Sequence, residues 1–299
     1  MKTIFSLIIA MICCLYTCGQ SPDSTLKEQK RIRRYHVNYW VTGSIIGIGM
    51  VGDIFAISRL KNKSSLTMDE LIFVNSDQQK NLMNSIDQWA LKQNTVDRTL
   101  WKDISDYGQT ALLLMPALLL FDKEMRRDWY DLLLMYVEGH TITFTFYNYS
   151  FLGPTFQNRL RPITYYPQFT DNVRKNGQNR NSFYSGHVAS STYSTFFMAK
   201  VYCDYHPSLG AKKYLIYLAA AVPPLFIGYA RIRSLAHFPS DVAVGFALGA
   251  IIGIVVPEFH KNRHFKNISL GMFDSPEGTG LTFRWKIPGR NLGGKVVKR

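Results

Sequence analysis

The stretch Ala230-Arg231-Ile232-Arg233-Ser234-Leu235-Ala236-His237-Phe238-Pro239-Ser240-Asp241 does most to decide what this chain is. It places an arginine six residues before a histidine and an aspartate four residues after that histidine. A second run, Tyr184-Ser185-Gly186-His187, lies upstream, and a third, Arg159-Leu160-Arg161-Pro162, lies in the polar loop before it. Each run adjoins a long apolar block. The sequence therefore predicts that polar groups from three loops meet at the ends of apolar helices.

These residue types suit a phosphoryl transfer that needs no metal ion. The imidazole of His237 can attack phosphorus, and Asp241, one helical turn further on, can hold the ring in its nucleophilic tautomer. His187 can protonate the leaving oxygen. Arg231, Ser185 and backbone N–H groups can hold the phosphate. The motifs thus contain a nucleophile, an acid and a set of anion-binding groups.

Taken in order, Arg-Pro, Ser-Gly-His and Arg-x5-His-x3-Asp resemble the motifs of the type 2 phosphatidic acid phosphatase superfamily. That superfamily includes membrane lipid phosphatases and the related vanadium haloperoxidases. The similarity covers roughly residues 105 to 258. It implies that His237 is the nucleophile, that His187 is the general acid and that Asp241 orients His237. It also implies a phosphate site formed by Arg161, Arg231, Ser185 and Gly186, with Arg159 as a further candidate.

The sequence departs from the family pattern at one cation. The first family motif begins with a lysine seven residues before its arginine, and that position is Pro154 here. No lysine occurs between Lys123 and Lys175. The same loop offers four cations that could replace this lysine: Arg159, Arg174, Lys175 and Arg180. The alternative is that the chain is an inactive relative of the family.

Several of these residues also have simple structural interpretations. His237 could cap a helix at the membrane interface, and Asp241 could be a first-turn carboxylate favoured by the helix dipole. Arg159 and Arg161 could anchor a loop at the interface. Only the combination of the three runs favours catalysis. Glu138 and His140 are ionisable groups inside an apolar block, and we expect them to be paired within the bundle.

The distribution of apolar residues predicts an all-α membrane protein. The chain has 299 residues, of which 46% are hydrophobic and 14% aromatic, concentrated in long blocks. A spanning helix needs about 20 mostly apolar residues, so we expect a bundle of five to six transmembrane helices. The candidate spans are residues 40–58, 106–121, 129–149, 186–204, 213–230 and 241–258.

The flanking segments divide the chain further. Residues 1–20 resemble a secretory signal, with cleavage near Gly19–Ser21 or lipidation at Cys18 as alternatives. Residues 21–104 form a membrane-associated segment with the apolar stretch 40–58 and an amphipathic helix around Ile86 and Trp89. Residues 105–260 form the phosphatase bundle. Residues 261–299 form a basic tail in which a small β-hairpin is predicted. Cys203 is the one cysteine well inside the mature chain, so no intramolecular disulfide can form there.

Net charge and setting complete the prediction. The formal charge of +14 raises nucleic acid as a partner, but the basic residues sit at span ends, which favours anionic lipid. We therefore expect a cofactor-free, metal-independent membrane lipid phosphatase acting on lipid A, undecaprenyl pyrophosphate, phosphatidic acid or phosphatidylglycerophosphate. A lipid phosphotransferase and a non-catalytic lipid-binding protein are the alternatives. A bacterial inner membrane is the expected setting, with the site facing the periplasm or exterior. A cleaved signal followed by a full span at 40–58 conflicts with that orientation.

Overall fold

The computed structural model describes residues 33–76, 83–262, 268–275 and 278–285. The predicted signal segment and Cys18 lie outside the described residues. The α-helices are α1 (Tyr39–Lys61), α2 (Met68–Asn75), α3 (Ser85–Gln88), α4 (Arg98–Leu114), α5 (Lys123–Arg127), α6 (Trp129–Tyr149), α7 (Asp171–Arg174), α8 (Gly186–Tyr205), α9 (Lys213–Arg233) and α10 (Pro239–His260). Short 3₁₀ turns cover Trp89–Lys92, Met115–Phe121, Pro162–Tyr165, Gly177–Arg180 and Pro207–Lys212.

The predicted all-α membrane fold is confirmed. Four helical segments in the described residues are long and apolar enough to cross a membrane: Tyr39–Lys61, Arg98–Phe121, Pro207–Arg233 and Pro239–His260. The other two long helices, α6 and α8, carry many buried polar residues, among them Asp131, Glu138, Ser190 and Thr192. Their polar groups are held inside the bundle rather than against lipid.

Two predicted boundaries differ from the structure. The helix predicted to begin at residue 106 begins at Arg98, and its last turns tighten to 3₁₀ geometry over Met115–Phe121. The stretch 40–58 forms α1, which packs along α6. The amphipathic helix expected around Ile86 is the short helix α3 followed by a 3₁₀ turn. Both segments lie in the part of the chain that we assigned outside the bundle.

The long helices alternate in direction. Tyr39 donates to Asp131 (2.9 Å) and Asn148 donates to Asp53 (2.9 Å), so α1 and α6 run in parallel. Gln109 of α4 donates to Ser190 of α8 (2.6 Å), which fixes these two helices side by side. Both run in the direction opposite to α1 and α6. The ends of α1, α6 and α9 and the starts of α4, α8 and α10 therefore share one end of the bundle. The three sequence motifs lie at that end.

Helices α8 and α10 pack through a stripe of glycines. Gly245, Gly249 and Gly253 recur every fourth residue on one face of α10. A methyl group on Gly245 would lie 2.6 Å from the Ser185 carbonyl oxygen, and one on Gly249 would overlap the Ala189 carbonyl oxygen. Small residues at this spacing let two membrane helices approach backbone to backbone. This contact brings the starts of α8 and α10 together.

Ionisable groups inside the bundle are paired, as expected. Glu138 accepts hydrogen bonds from Thr42 (2.8 Å) and lies 2.8 Å from Nε2 of His260. His140 Nε2 lies 2.8 Å from the Tyr136 hydroxyl and 3.1 Å from the Ser194 hydroxyl. These contacts stabilise the bundle away from the motif end.

The predicted C-terminal hairpin is also present. Strands β1 (Ile268–Ser275) and β2 (Gly278–Trp285) pair in antiparallel register, with Ile268 opposite Trp285 and Ser275 opposite Gly278. Alternating polarity on each side of a Gly- and Pro-rich turn is the signal that predicted it.

Candidate active site

The spacing between Arg231 and His237 follows from the way α9 ends. Ala236 N–H donates to the Arg231 carbonyl (3.1 Å) and Leu235 N–H donates to the Ile232 carbonyl (2.9 Å). These two bonds form a Schellman motif, which needs a left-handed residue just after the helix. Leu235 supplies it with φ of 59°. The turn leaves Arg231 on the last helical turn and reverses the chain, so that His237 lies at the same end of the bundle.

The spacing between His237 and Asp241 follows from the start of α10. Pro239 opens the helix, where its missing N–H costs nothing. The Asp241 carboxylate then folds back and accepts the Phe238 N–H at 2.8 Å. His237 lies just before this cap and is held against it. One helix start therefore fixes both side chains.

The tautomer of His237 is set by a carbonyl that the sequence prediction did not include. Nδ1 of His237 donates to the Ser182 carbonyl oxygen at 2.7 Å, whereas Asp241 Oδ2 is 3.7 Å from Nδ1. Asp241 instead accepts the Ser182 hydroxyl at 2.6 Å. The expected direct hydrogen bond from His237 to Asp241 is thus replaced by one through Ser182. Nδ1 carries the proton, and Nε2 has no hydrogen-bond partner among the described residues.

The burial of His237 keeps it neutral. Its residue exposure is 2%. Burial lowers the pKa of the imidazole to about 4; the Asp241 carboxylate opposes this shift, and the positive charges of Arg231 and Arg161 add to it. At neutral pH the ring is therefore uncharged, with a free lone pair on Nε2.

The Ser-Gly-His run forms the start of α8. Ser185 caps the helix, and its own N–H donates to the Asp241 carbonyl oxygen at 3.1 Å. First-turn N–H groups such as those of Gly186 and His187 have no helical acceptor and attract anions. A methyl group on Gly186 would lie 3.3 Å from the Tyr147 ring, so glycine fits the close contact there.

Arg231 and His187 meet on one carboxylate. Nη1 of Arg231 donates to Asp106 Oδ1 (3.0 Å) and to the Ser105 hydroxyl (3.1 Å). His187 Nε2 lies 3.1 Å from the same Asp106 oxygen, and Lys102 donates to Oδ2 at 2.8 Å. Asp106 therefore binds the two groups to which the sequence assigned the phosphate and the leaving oxygen.

Arg161 is the second motif arginine at this end of the bundle, and its side chain is half-buried. Its backbone N–H donates to Asn179 (2.8 Å), which fixes the loop before Pro162. Its Nε is buried and has no hydrogen-bond partner. A cavity of about 170 Å³ opens beside it, with Tyr147, Asn148 and Asn181 in its wall. The Arg161 guanidinium is thus available for an anion.

Arg159 is placed differently from Arg161. Its guanidinium bonds Asp87 Oδ2 (2.5 Å), Ser240 Oγ (2.8 Å) and the Asp241 carboxylate. Its carbon Cζ also lies 4.5 Å from the centre of the Phe238 ring. Because two carboxylates already neutralise its charge, Arg159 is placed to hold Asp241 in position and not to bind a phosphate.

The structure brings seven predicted residues to one end of the bundle. They are His237, His187, Asp241, Arg161, Arg231, Ser185 and Gly186. Sequence reasoning missed Asp87, Ser105, Asp106 and Ser182. The polar spacing of Lys102, Ser105, Asp106 and Gln109 in α4 could have identified Asp106, since these residues share one helix face. Nothing in the local sequence marks the Ser182 carbonyl. Within the described residues no group of three or more His, Cys, Asp or Glu side chains is placed to hold a metal ion.

Comparison with known proteins finds a family match and a similar solved structure. The family model of the PAP2 superfamily matches residues 133–265, which include every motif residue from Arg159 to Asp241. A solved transmembrane PAP2-type phosphatidylglycerolphosphate phosphatase from Bacillus subtilis is 18% identical, with a TM-score of 0.42. The similarity to it covers 69% of this chain and 94% of that one. No curated protein matched the chain. Residues 133–265 thus match the PAP2 superfamily, and the helices long and apolar enough to cross a membrane indicate a multi-pass membrane protein.

Proposed function

We propose that this protein is a membrane lipid phosphatase that removes a phosphate, as a monoester or from a pyrophosphate, through a phosphohistidine at His237. The observation that carries the proposal is the geometry of His237. Its Nδ1 proton is fixed on the Ser182 carbonyl, so the lone pair of Nε2 is free beside two guanidiniums and a helix start. A neutral, oriented imidazole in a cationic pocket is what attack on a phosphate dianion requires.

In the first step, Nε2 of His237 forms a bond to phosphorus while the bond from phosphorus to the lipid oxygen breaks. The leaving oxygen takes a proton from His187. His187 gains that proton as the dianion binds, because negative charge beside an imidazole favours the cation. Arg161, Arg231 and the first-turn N–H groups of α8 neutralise the charge on the transferring group.

In the second step, water attacks the phosphohistidine. Neutral His187 accepts the proton of that water, the P–N bond breaks, and inorganic phosphate leaves. His237 returns to its neutral form with Nδ1 still on Ser182. The Asp241 carboxylate accepts hydrogen bonds from Ser182, Arg159 and the Phe238 N–H, so we assign it a positioning role that acts on His237 through Ser182.

A lipid substrate is supported by where the site lies. The motif residues are at one end of a bundle that contains candidate spanning helices, which is where a lipid head group would meet them. Lipid A, undecaprenyl pyrophosphate, phosphatidic acid and phosphatidylglycerophosphate share an exposed phosphate on an apolar chain. We propose that the site faces outward in a bacterial inner membrane, because the loops at the opposite end carry a dense group of cations: Lys123, Arg126, Arg127, Lys212, Lys213 and Lys261.

The proposal is tested by phosphate release from this panel of lipids by detergent-purified protein in EDTA. Wild type is compared with His237→Ala and with a control, His206→Ala, which removes a histidine stacked on Tyr202 at the opposite end of the bundle. We expect release by wild type and the control and none by His237→Ala. Release that persists in His237→Ala, or that needs a metal ion, would contradict the mechanism. Product that forms only with an added alcohol acceptor would make the protein a transferase.

A further inference from the structure

Arginines from three different elements lie at the motif end of the bundle, each with a buried Nε atom. Among the described residues, Nε of Arg98, of Arg161 and of Arg231 is buried without a hydrogen-bond partner. They come from the start of α4, the loop before Pro162 and the end of α9. Arg161 and Arg231 belong to the family motifs, but Arg98 lies outside the segment that matches the family.

The position of Arg98 on α4 directs it to the same site. Ser105 and Asp106 of α4 contact Arg231. Arg98 precedes Ser105 by seven residues, which is two helical turns, so both share one face. The Arg98 carbon Cζ lies 5.5 Å from the centre of the Phe169 ring, in the loop that follows Arg161. Arg98 thus lies on the helix that contacts Arg231, and its side chain packs on the loop that carries Arg161.

The charges at this site do not balance. Asp106 is the carboxylate on Arg231, and it also contacts Lys102 and His187. Asp241 is neutralised by Arg159. The guanidiniums of Arg98 and Arg161 have no carboxylate within hydrogen-bond distance among the described residues. Burial lowers the pKa of the Arg161 guanidinium, and the positive charge of Arg98 lowers it further. The excess of positive charge suits a dianion.

The other nearby cations already have partners. Arg159 holds Asp87 and Asp241, Arg174 donates to the Thr164 carbonyl, and Arg180 holds Glu70. Lys175 lies 3.7 Å from Asp171.

Lys63 lies beside Pro154, the position of the absent family lysine. Its ammonium donates to the carbonyls of Pro154 (2.5 Å) and Gln157 (2.9 Å) and to Asn158 Oδ1 (2.9 Å). Since an ammonium has three protons, Lys63 is fully used in holding this loop. None of the cations in the 159–180 loop that could replace the lysine, nor Lys63, is left for a phosphate.

We propose that Arg98 is the third phosphate-binding cation of this site, beside the motif residues Arg161 and Arg231. It replaces the lysine that the family pattern has at the position of Pro154. The inference rests on the proposed function, since it assumes that the pocket holds a phosphate. It assigns a substrate contact to a helix outside the family-matched segment.

Binding of inorganic phosphate to the full chain in detergent tests this assignment, because it needs neither turnover nor a chosen lipid. Isothermal titration would compare wild type, Arg98→Gln and Arg98→Lys. Arg233→Gln is the matched control, since its guanidinium also stacks on an aromatic ring, Trp101 (5.3 Å), and its Nε is also buried without a partner. We expect Arg98→Gln to weaken binding about 10- to 100-fold, as for loss of a charged hydrogen bond. Arg98→Lys should fall between the two, and Arg233→Gln should bind as wild type does.

The outcomes separate this inference from the proposed function. Wild-type affinity in Arg98→Gln, with lipid phosphatase activity intact in wild type, would overturn only the role of Arg98. Equal losses of phosphate affinity in Arg98→Gln and Arg233→Gln would also overturn it. They would show that binding depends on the total positive charge of the site and not on a contact with Arg98. Absence of both phosphate binding and turnover in wild type would overturn both proposals. If Arg98→Gln unfolds, the loss in Arg98→Lys, which keeps the charge, decides.

Discussion

At the scale of single residues, the site depends on how His237 is oriented. The sequence predicts Asp241 as its partner, yet the structure inserts Ser182 between them: the carbonyl holds Nδ1 and the hydroxyl holds the carboxylate. The pairing of histidine and aspartate at i and i+4 could be read from the sequence. The Ser182 carbonyl could not, because it comes from a loop 55 residues away and a backbone group leaves no residue-specific signal.

The first prediction concerns pH. Burial lowers the pKa of His237 to about 4, so the ring loses its nucleophilic lone pair to a proton only near that pH and not near 6.5. We expect the pH profile of kcat/KM to show no loss from this group on acidification between about pH 7 and pH 5. The profile should be measured with two substrates whose phosphate pKa values differ. An acidic limb that stays near 6.5 for both substrates would contradict the expectation.

The second prediction concerns Arg159. Its two carboxylate partners are buried, with side-chain exposures of 1% for Asp87 and 0% for Asp241. Arg159→Gln would leave both charges uncompensated, which typically costs about 3–5 kcal/mol in the free energy of unfolding. We expect a clear drop in thermal stability in detergent, while folded protein at low temperature still binds inorganic phosphate. Loss of phosphate binding with unchanged stability would instead place Arg159 on the substrate.

At the scale of helices, the site depends on how closely α8 and α10 approach. Each helix start carries one motif, and the glycines of α10 set the distance between them. The apolar blocks predicted the helices themselves, because apolar length is a strong signal. The sequence predicted the start of α4 too late in the chain, because Arg98, Lys102 and Asp106 make the first turns of this helix polar. Of these residues, Lys102 bonds Asp106, and Asp106 also contacts Arg231 and His187.

The third prediction tests this helix contact. A methyl group added by Gly249→Ala would overlap the Ala189 carbonyl, so α10 must shift from α8. We expect a loss of about 1–3 kcal/mol in stability and a fall in kcat. Gly47→Ala in α1 is the matched control, because a methyl there meets nothing within 4 Å and alanine favours helix. Equal behaviour of the two variants, in melting temperature and in turnover, would refute the role of the stripe.

At the scale of the whole molecule, the alternation of helices fixes which loops share a membrane face. The loops 150–185 and 234–238 lie at the motif end, and the turns 122–128 and 206–212 lie at the other. Because α1 is a full-length helix of 23 residues that runs parallel to α6, the chain enters the bundle at the end opposite the motifs. An outward site would then put Arg33 on the inner face. That orientation and cleavage of residues 1–20 by an external peptidase exclude each other.

The fourth prediction follows from that arrangement. In a background with native cysteines replaced by serine, Gln168→Cys and Arg126→Cys place single thiols at exposed positions on opposite ends. We expect a membrane-impermeant maleimide to label the first in intact cells and the second only after lysis. The reverse pattern would contradict the outward orientation. Labelling of both in intact cells would contradict the alternation of helices.

The sequence predicted much of the architecture of the whole molecule. The features that it did not predict share a physical cause. The resemblance to the superfamily, the helical membrane class and the hairpin are confirmed, because each depends on local patterns. Asp87, Asp106 and Arg98 reach the motif end from segments that precede the family-matched region. Their proximity is a property of helix packing, which one sequence does not display.

The most direct test of the central claim is to trap the covalent intermediate. Purified protein would be mixed with a phosphate-labelled lipid substrate and quenched in base, since the P–N bond of phosphohistidine survives base and breaks in acid. Base-stable, acid-labile label on the peptide that contains His237, absent from His237→Ala and retained in His206→Ala, is the predicted result. Turnover without label in any peptide, or label retained in His237→Ala, would contradict it.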